Sequence, residues 1–430
     1  MAGDRVTGEG MGMAGLAAMA AVVTLTALRM PVALALLLTG AARMARLGTL
    51  GEAWETVAGL LSSPDLLLVP LVLMLGNVAF YAGFATRAHD AAAVILQGRR
   101  GGLAMAAVLG CAAFSATSGS SVGSAATMSR IALPPMLAAG YDPRLAGASV
   151  AMGSTPGALL PPSMLLIAWG LLSGTPVGTM FLAGLLPAFL SLAGMVAVVL
   201  WWVRHDPQAG PLPQPLPIRP AEALRAVWLA PLLFAIIVGG LFWGLLTATA
   251  AVAVCLAATL AFGLIQHRLR PETLWIALRE TLRQAAAILA VLIAARLFLV
   301  FLDAAGTPAL LEDWMAAAPR LLAVLLLGLA CALLSLLAEP VAMLVLALPF
   351  AGALARAHGL DPAWAGIVLV KLVETAMILP PLGLIVVIIG RTVRDVPPGA
   401  IFAGIGRFLF ADLLVLAALV LFPGLVLAAG

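Results

Sequence analysis

The chain has 430 residues, of which 63% are hydrophobic and 10% charged; its net charge of +4 comes from 22 arginines and a single lysine set against 19 acids. Soluble domains average about 25% charged residues, so too few charges are present to cover a water-facing surface, and disorder, collagen and coiled coil fall on the same numbers. What remains is a polytopic membrane protein embedded in a lipid bilayer, with arginines spread over loops in a way that bespeaks topology and not nucleic-acid binding.

In chain order, the first apolar segment is 11–28. Asp4 and Glu9 spoil the basic flank of a signal peptide and the apolar stretch resumes after Pro31, so it reads as a helix followed by 31–47. Segment 66–84 precedes an arm over 85–102. Segments 103–118 and 121–139 are short apolar arms around Ser118-Gly119-Ser120-Ser121, which predicts a re-entrant hairpin over 103–139. Segment 145–172 is interrupted by Gly153-Ser154-Thr155-Pro156-Gly157 and Pro161-Pro162-Ser163, and 180–203 follows. The only long Pro-rich stretch, 204–226, reads as a cytoplasmic linker between two halves. Beyond it come 227–242, 248–265, an amphipathic surface helix over 267–284, a span over 285–302, and an arm over 303–319. A second hairpin over 320–356 is centred on Glu339, a second broken helix occupies 362–390, and 401–428 closes the chain.

The predicted fold is therefore an all-α polytopic membrane protein with ten full crossings and two hairpins. Residues 1–100 hold the first helices and a cytoplasmic arm, 101–203 the first hairpin and broken helix, 227–319 the second set of helices and an outer arm, and 320–430 the second hairpin and broken helix. With the N-terminus outside, fifteen basic residues fall in cytoplasmic loops and five outside, while Arg130, Arg296 and Lys371 lie within apolar segments. This positive-inside bias sets both termini on the periplasmic side.

The halves repeat. Gly140-Tyr-Asp-Pro-Arg-Leu-Ala-Gly147 matches Gly359-Leu-Asp-Pro-Ala-Trp-Ala-Gly366 at an offset of 219 residues, and Pro161-Pro162 matches Pro380-Pro381 at the same offset, as Ser120 does Glu339. The threading makes the repeat inverted. The arm at 85–102 carries Arg87, Arg99 and Arg100, whereas 303–319 carries Asp303, Glu312 and Asp313. Inverted repeats with interrupted helices build many secondary transporters, with substrate near the midplane.

The interruptions supply the candidate site. Proline frees backbone carbonyls that need partners in a bilayer, and half-helices begun at the breaks aim N–H groups inward, which suits carboxylate groups, while the carbonyls suit Na⁺. Candidate substrate-binding residues are Ser118, Gly119, Ser120, Ser121, Ser154, Thr155, Ser163 and Thr375. Candidate cation-binding residues are Ser120, Gly153, Gly157, Pro161, Glu339, Glu374 and Pro380. Cys111, Cys255 and Cys331 sit singly in apolar runs and read as buried hydrophobes, and the four histidines are too scattered for a metal cage. No Ser/His pair, paired aspartates or His-Glu-x-x-His motif supports an intramembrane enzyme.

These residues also carry a resemblance. Gly101-Gly102 … Phe114-Ser-Ala-Thr-Ser118-Gly-Ser-Ser-Val122, Leu160-Pro-Pro-Ser163 and Phe181-Leu-Ala-Gly-Leu-Leu-Pro187 resemble the large membrane subunit of tripartite ATP-independent periplasmic (TRAP) transporters. Pro70-Leu-Val-Leu-Met-Leu-Gly76, Glu339-Pro340 and Pro380-Pro381-Leu-Gly383 are similar to further segments of that family. The resemblance implies a sodium-driven importer of an organic acid (a C4-dicarboxylate or other carboxylate) in the bacterial inner membrane, working as an elevator without a cofactor. It further implies a small four-helix membrane subunit and a periplasmic substrate-binding protein as partners. A stand-alone carboxylate–Na⁺ symporter is the alternative. The chain departs from the family pattern at Ala250, Ala376 and Leu379, and its hairpin acid is Glu339. Lys371, the only lysine, lies in an apolar helix three residues before Glu374; an ionisable residue there marks function by default. Its ammonium either stands in for a second cation, with Glu374 or Glu339 as partner, or snorkels or pairs with Glu374 for structure alone. Arg130 and Arg296 are expected to pair structurally.

Overall fold

The computed structural model describes residues 2–47, 50–212 and 220–427, and every regular element among them is helical. The centre of the Pro-rich linker, 213–219, and with it Arg219, lies outside the described residues.

Local chemistry places the helix starts. Each broken helix opens on an Asp-Pro pair: Asp142 accepts the Arg144 N–H at 2.8 Å and Asp361 accepts the Ala363 N–H at 2.7 Å, with proline at the first helical position. The first broken helix runs Pro143–Ser154, turns through Pro156–Ala158, and resumes as Met164–Ser173 under a Ser163 cap. The second runs Pro362–Ala376 and resumes as Leu384–Thr392. Both Pro-Pro bonds, Pro161–Pro162 and Pro380–Pro381, are cis.

Each segment expected to form a hairpin consists of two helices packed on each other. In the first, Gly102–Ser118 and Ser121–Ala138 are joined at Gly119, whose φ of 66° is the left-handed turn that glycine adopts freely. Ser120 caps the returning arm by accepting the Gly123 N–H at 3.1 Å. The second hairpin comprises Arg320–Leu334 and Pro340–Ala357, with Glu339 extended at the cap position.

Hairpins and broken helices pack on one another and on the C-terminal helix Pro398–Leu421, and this group holds the densest core. In Pro362–Ala376 every residue from Ala363 onward is buried, including Lys371, Glu374 and Thr375. Around this group, Val32–Leu47, Leu68–Tyr81, Ala248–Ile265 and Pro271–Ala304 form a second packed set.

Two expectations are corrected. The amphipathic surface helix over 267–284 and the span over 285–302 are one helix, Pro271–Ala304, of 34 residues. No glycine or proline interrupts it after Pro271, so the hydrogen-bond ladder runs on for about 50 Å. A helix at Leu50–Leu61 adds to the predicted elements. Among the described residues six helices are long and apolar enough to cross a bilayer; five of them fall on expected crossings and the sixth, Pro340–Ala357, is a hairpin arm, while the two broken helices and the expected crossings at 11–28, 31–47 and 227–242 give shorter apolar pieces.

Candidate functional site

A cavity of about 450 Å³ lies where both hairpin tips and both broken helices meet the second helix set. The first tip contributes Ser118 to Gly123, the second Glu339 to Val341, and the broken helices Ala158, Met164, Glu374 and Leu384. The opposite wall comes from Leu68–Tyr81 through Gly76, Asn77 and Phe80, and from Pro271–Ala304 through Glu280 and Gln284. There tip and wall touch backbone to backbone: a Cβ on Gly76 would lie 2.8 Å from the Ser118 Cα.

Glu374 is the distinctive group. It is buried at 2% exposure, its Oε1 accepts from the Ser121 hydroxyl at 2.8 Å, and its Oε2 has no hydrogen-bond partner. A carboxylate so placed needs a counter-charge or a proton, since burial of an unpaired ion is strongly unfavourable. The two residues are 253 positions apart, so the bond ties the first half to the second. Among the described residues no group of three or more His, Cys, Asp or Glu is gathered closely enough to hold a metal ion.

The structure brings Ser118, Gly119, Ser120, Ser121, Glu339 and Glu374 to this cavity. The other sequence candidates lie elsewhere. The Ser154 and Thr155 hydroxyls bond back to the carbonyls of Ala151 and Met152 at 2.7 and 2.9 Å, as short hydroxyl side chains in helices do. Ser163 bonds the Ala158 carbonyl and caps its own helix. Gly153 and Gly157 sit where the first broken helix crosses the Gly102–Ser118 arm, against Val108 and Ser115. Pro161 lines a separate, apolar cavity of about 250 Å³, and Pro380 lies at the second break outside the main cavity. Arg130 is exposed on its hairpin arm. Arg296 donates to the Leu172 carbonyl at 3.3 Å, at the end of the helix Met164–Ser173, where the free carbonyls favour a cation.

The expected pairing of Lys371 is corrected. Its ammonium pairs with Asp412 of the C-terminal helix and donates to the Ser191 hydroxyl at 2.7 Å, while the Thr375 hydroxyl lies 2.9 Å from Asp412 Oδ2 and 2.8 Å from the Lys371 carbonyl. Glu374 lies three residues on in the same helix but bonds to Ser121 and not to Lys371, and neither Lys371 nor Thr375 lines the main cavity. Asp412 is the only acid in its helix, which is the sequence signal that marks it. The wall residues were also missed: Asn77 donates to the Thr281 hydroxyl at 2.9 Å, and the Tyr81 hydroxyl donates to Glu280 at 3.1 Å.

Comparison with known proteins agrees with this architecture. The family described as tripartite ATP-independent periplasmic transporter, DctM component, matches residues 19–425. The C4-dicarboxylate TRAP transporter large permease protein DctM of Pseudomonas aeruginosa is 30% identical over 325 residues, 74% of this chain and 75% of that protein. The sialic acid TRAP transporter large permease protein SiaM of Vibrio cholerae is 27% identical over 372 residues, 86% of this chain and 87% of the relative. In fold, the chain is similar to the crystal structure of the Alcanivorax borkumensis YdaH transporter, with a TM-score of 0.59 at 16% identity over 94% of this chain and 98% of that one. Family and fold meet on the same residues, and the chain belongs to the DctM family of TRAP transporter large permease subunits.

Proposed function

We propose that this multi-pass inner-membrane permease drives Na⁺-coupled uptake of an organic acid, taking its substrate from a periplasmic binding protein and working beside a small four-helix membrane subunit. Both termini lie on the periplasmic side. The hairpins and broken helices (within 101–203 and 320–430) move as the carrier, and the helices of 1–100 and 227–319 stand as scaffold. What supports this reading is the convergence of both hairpin tips, Glu374 and a separate helical wall on one cavity. A tip built on a helix N-terminus favours a carboxylate group, and Ser118, Gly119, Ser120 and Ser121 form that tip.

Glu374 supplies the charge for the coupling cation, and Glu339 assists it. Among the described residues, Lys371 and Asp412 neutralise each other, which leaves Glu374 as the one buried carboxylate without a basic partner. Lys371 thus serves as an internal cation for Asp412 and not for the cavity.

Uptake by the complete three-part system in proteoliposomes tests the reading. Accumulation above equilibrium is expected only with an inward Na⁺ gradient and with the binding protein present. Accumulation indifferent to Na⁺ overturns the coupling, and accumulation by this chain alone overturns the three-part assignment in favour of a stand-alone symporter.

A further inference from the structure

Away from the main cavity, two arginines from distant segments meet with no acid paired to either. Arg87 lies in the arm helix Phe84–Ile95 and sets its guanidinium carbon 5.1 Å over the Phe262 ring. Arg268 follows the helix Ala248–Ile265 and turns its Nη1 toward Gly83, to 3.0 Å from where a Cβ on that glycine would stand. Arg268 is exposed and Arg87 half-buried. Burial, and then the like charge of Arg268, lower the pKa of Arg87 from its ordinary value. The ion pairs among the described residues, Arg144–Asp142, Arg356–Glu312 and Lys371–Asp412, include neither of them. Two neighbouring cations so placed call for an anion, and guanidinium groups fit the oxygens of a phosphate.

The same patch borders the apolar cavity of about 250 Å³ that Pro161 lines. Phe84, next to Gly83, lines it too, as do Ala230 and Pro231, just beyond Trp228, whose ring meets Phe262 at 6.0 Å between centroids. The one hydroxyl of the lining, on Thr117, donates to the Phe114 carbonyl at 2.9 Å, which leaves no side chain there to hold a polar guest. Phe189, at the rim, is 48% exposed, and a space walled by hydrocarbon gains dispersion contacts when hydrocarbon fills it. From this juxtaposition we propose that the protein binds an anionic phospholipid, with the headgroup phosphate held by Arg87 and Arg268 and one acyl chain lying in the apolar cavity. Trp228, exposed at the start of its helix, marks the headgroup level, as tryptophan does at membrane interfaces. Basic pockets between membrane helices take anionic headgroups in this way. The acyl chain then lies between the first hairpin arm, at Ala113, and the helix Leu229–Phe242, at Phe234, and fills the seam between them.

Native mass spectrometry of the full chain in detergent, titrated with lipid, tests the site. The probes are dioleoyl phosphatidylglycerol and dioleoyl phosphatidylcholine, which share acyl chains and a phosphate and differ in the positive charge that choline adds. We expect one phosphatidylglycerol to bind at a concentration roughly tenfold lower than phosphatidylcholine, and Arg87→Gln with Arg268→Gln to abolish that preference. Arg99→Gln with Arg100→Gln, which removes equal charge beyond the other end of the arm helix, should preserve it. Ala113→Phe, which fills the cavity, should weaken binding of both lipids severalfold. Equal binding of the two lipids by the parent chain overturns the proposal, and so does a preference that survives loss of Arg87 and Arg268. Inorganic phosphate that displaces phosphatidylglycerol at equal concentration overturns it as well, since the arginines would then be taking the free anion. Binding by Ala113→Phe as tight as the parent's overturns the placement of the acyl chain. Should the double glutamine variant not fold, Arg268→Gln alone, a change at an exposed side chain, should cut the preference severalfold, and an unchanged preference there also overturns the proposal.

Discussion

Lys371 and Asp412 form an ion pair sealed inside the helical core, each about 2% exposed at the side chain and 41 residues apart in the chain. The pair pins the second broken helix to the C-terminal helix, and the Ser191 hydroxyl extends it to a helix of the first half. Breaking such a pair from one side leaves a buried charge without compensation. Lys371→Met is therefore expected to destabilise the protein by roughly 3–5 kcal/mol, and Lys371→Met with Asp412→Leu to recover most of that loss. Unfolding of the purified chain in detergent measures both; a single variant as stable as the parent would contradict the assignment.

Ser121→Ala removes the hydroxyl that donates to Glu374 at 2.8 Å. A hydrogen bond to a charged group contributes about 1.5–3 kcal/mol, so the half-saturating Na⁺ concentration for uptake should rise on the order of tenfold or more. Ser121→Thr, which keeps the donor, should restore most of the affinity.

Gly157 lies so close to Ser115 that a Cβ on it would approach the Ser115 Cβ to 2.1 Å. Gly157→Ala should destabilise by about 1–3 kcal/mol through overpacking. Ser115→Gly in the same chain should return the midpoint of thermal unfolding toward the parent value. Failure of the second change to help would show that the crossing of these helices relaxes by another route.

His89 lies on the arm Phe84–Ile95, buried, with its Nδ1 unpartnered, and burial pushes its pKa down to about 4. Because the folded value is below the unfolded value of about 6.5, the contribution is intact above that pH and is lost as pH falls toward 4, amounting to roughly 3 kcal/mol. Hydrogen exchange of the arm should accelerate over this window, and His89→Asn should abolish the acceleration.

The inverted arrangement predicts that cysteines placed at Arg99 and Asp313 react from opposite sides of the membrane. Membrane-impermeant labelling of oriented vesicles decides it, and reaction of both from one side would refute the inversion.

Much of the fold was legible in the sequence wherever apolar runs end on helix-stop chemistry. Segment 248–265 matches Ala248–Ile265, and the hairpin arms match within a few residues, because Gly119, the Glu339-Pro340 step and the Asp-Pro caps punctuate them. The long helix was misread because a change from charged to apolar composition looks like a boundary, although no residue from Glu272 to Ala304 stops a helix. At the site, the tip residues were visible as polar groups in apolar surroundings. Asp412, Asn77 and Glu280 were not, since what brings them into play is contact with residues 37 to 204 positions away. Spacing along the chain carries no trace of such contacts.

The bare backbone contact at Gly76 has a consequence for leakage. Where two main chains meet with no side chain between them, no flexible atom is left to yield or to refill a gap, and a packed seam of that kind is shut or parted with little between. Gly76→Ala is therefore expected to keep the seam from closing, to be read as ion leak through proteoliposomes in the absence of substrate; vesicles as tight as those with the parent chain would refute it.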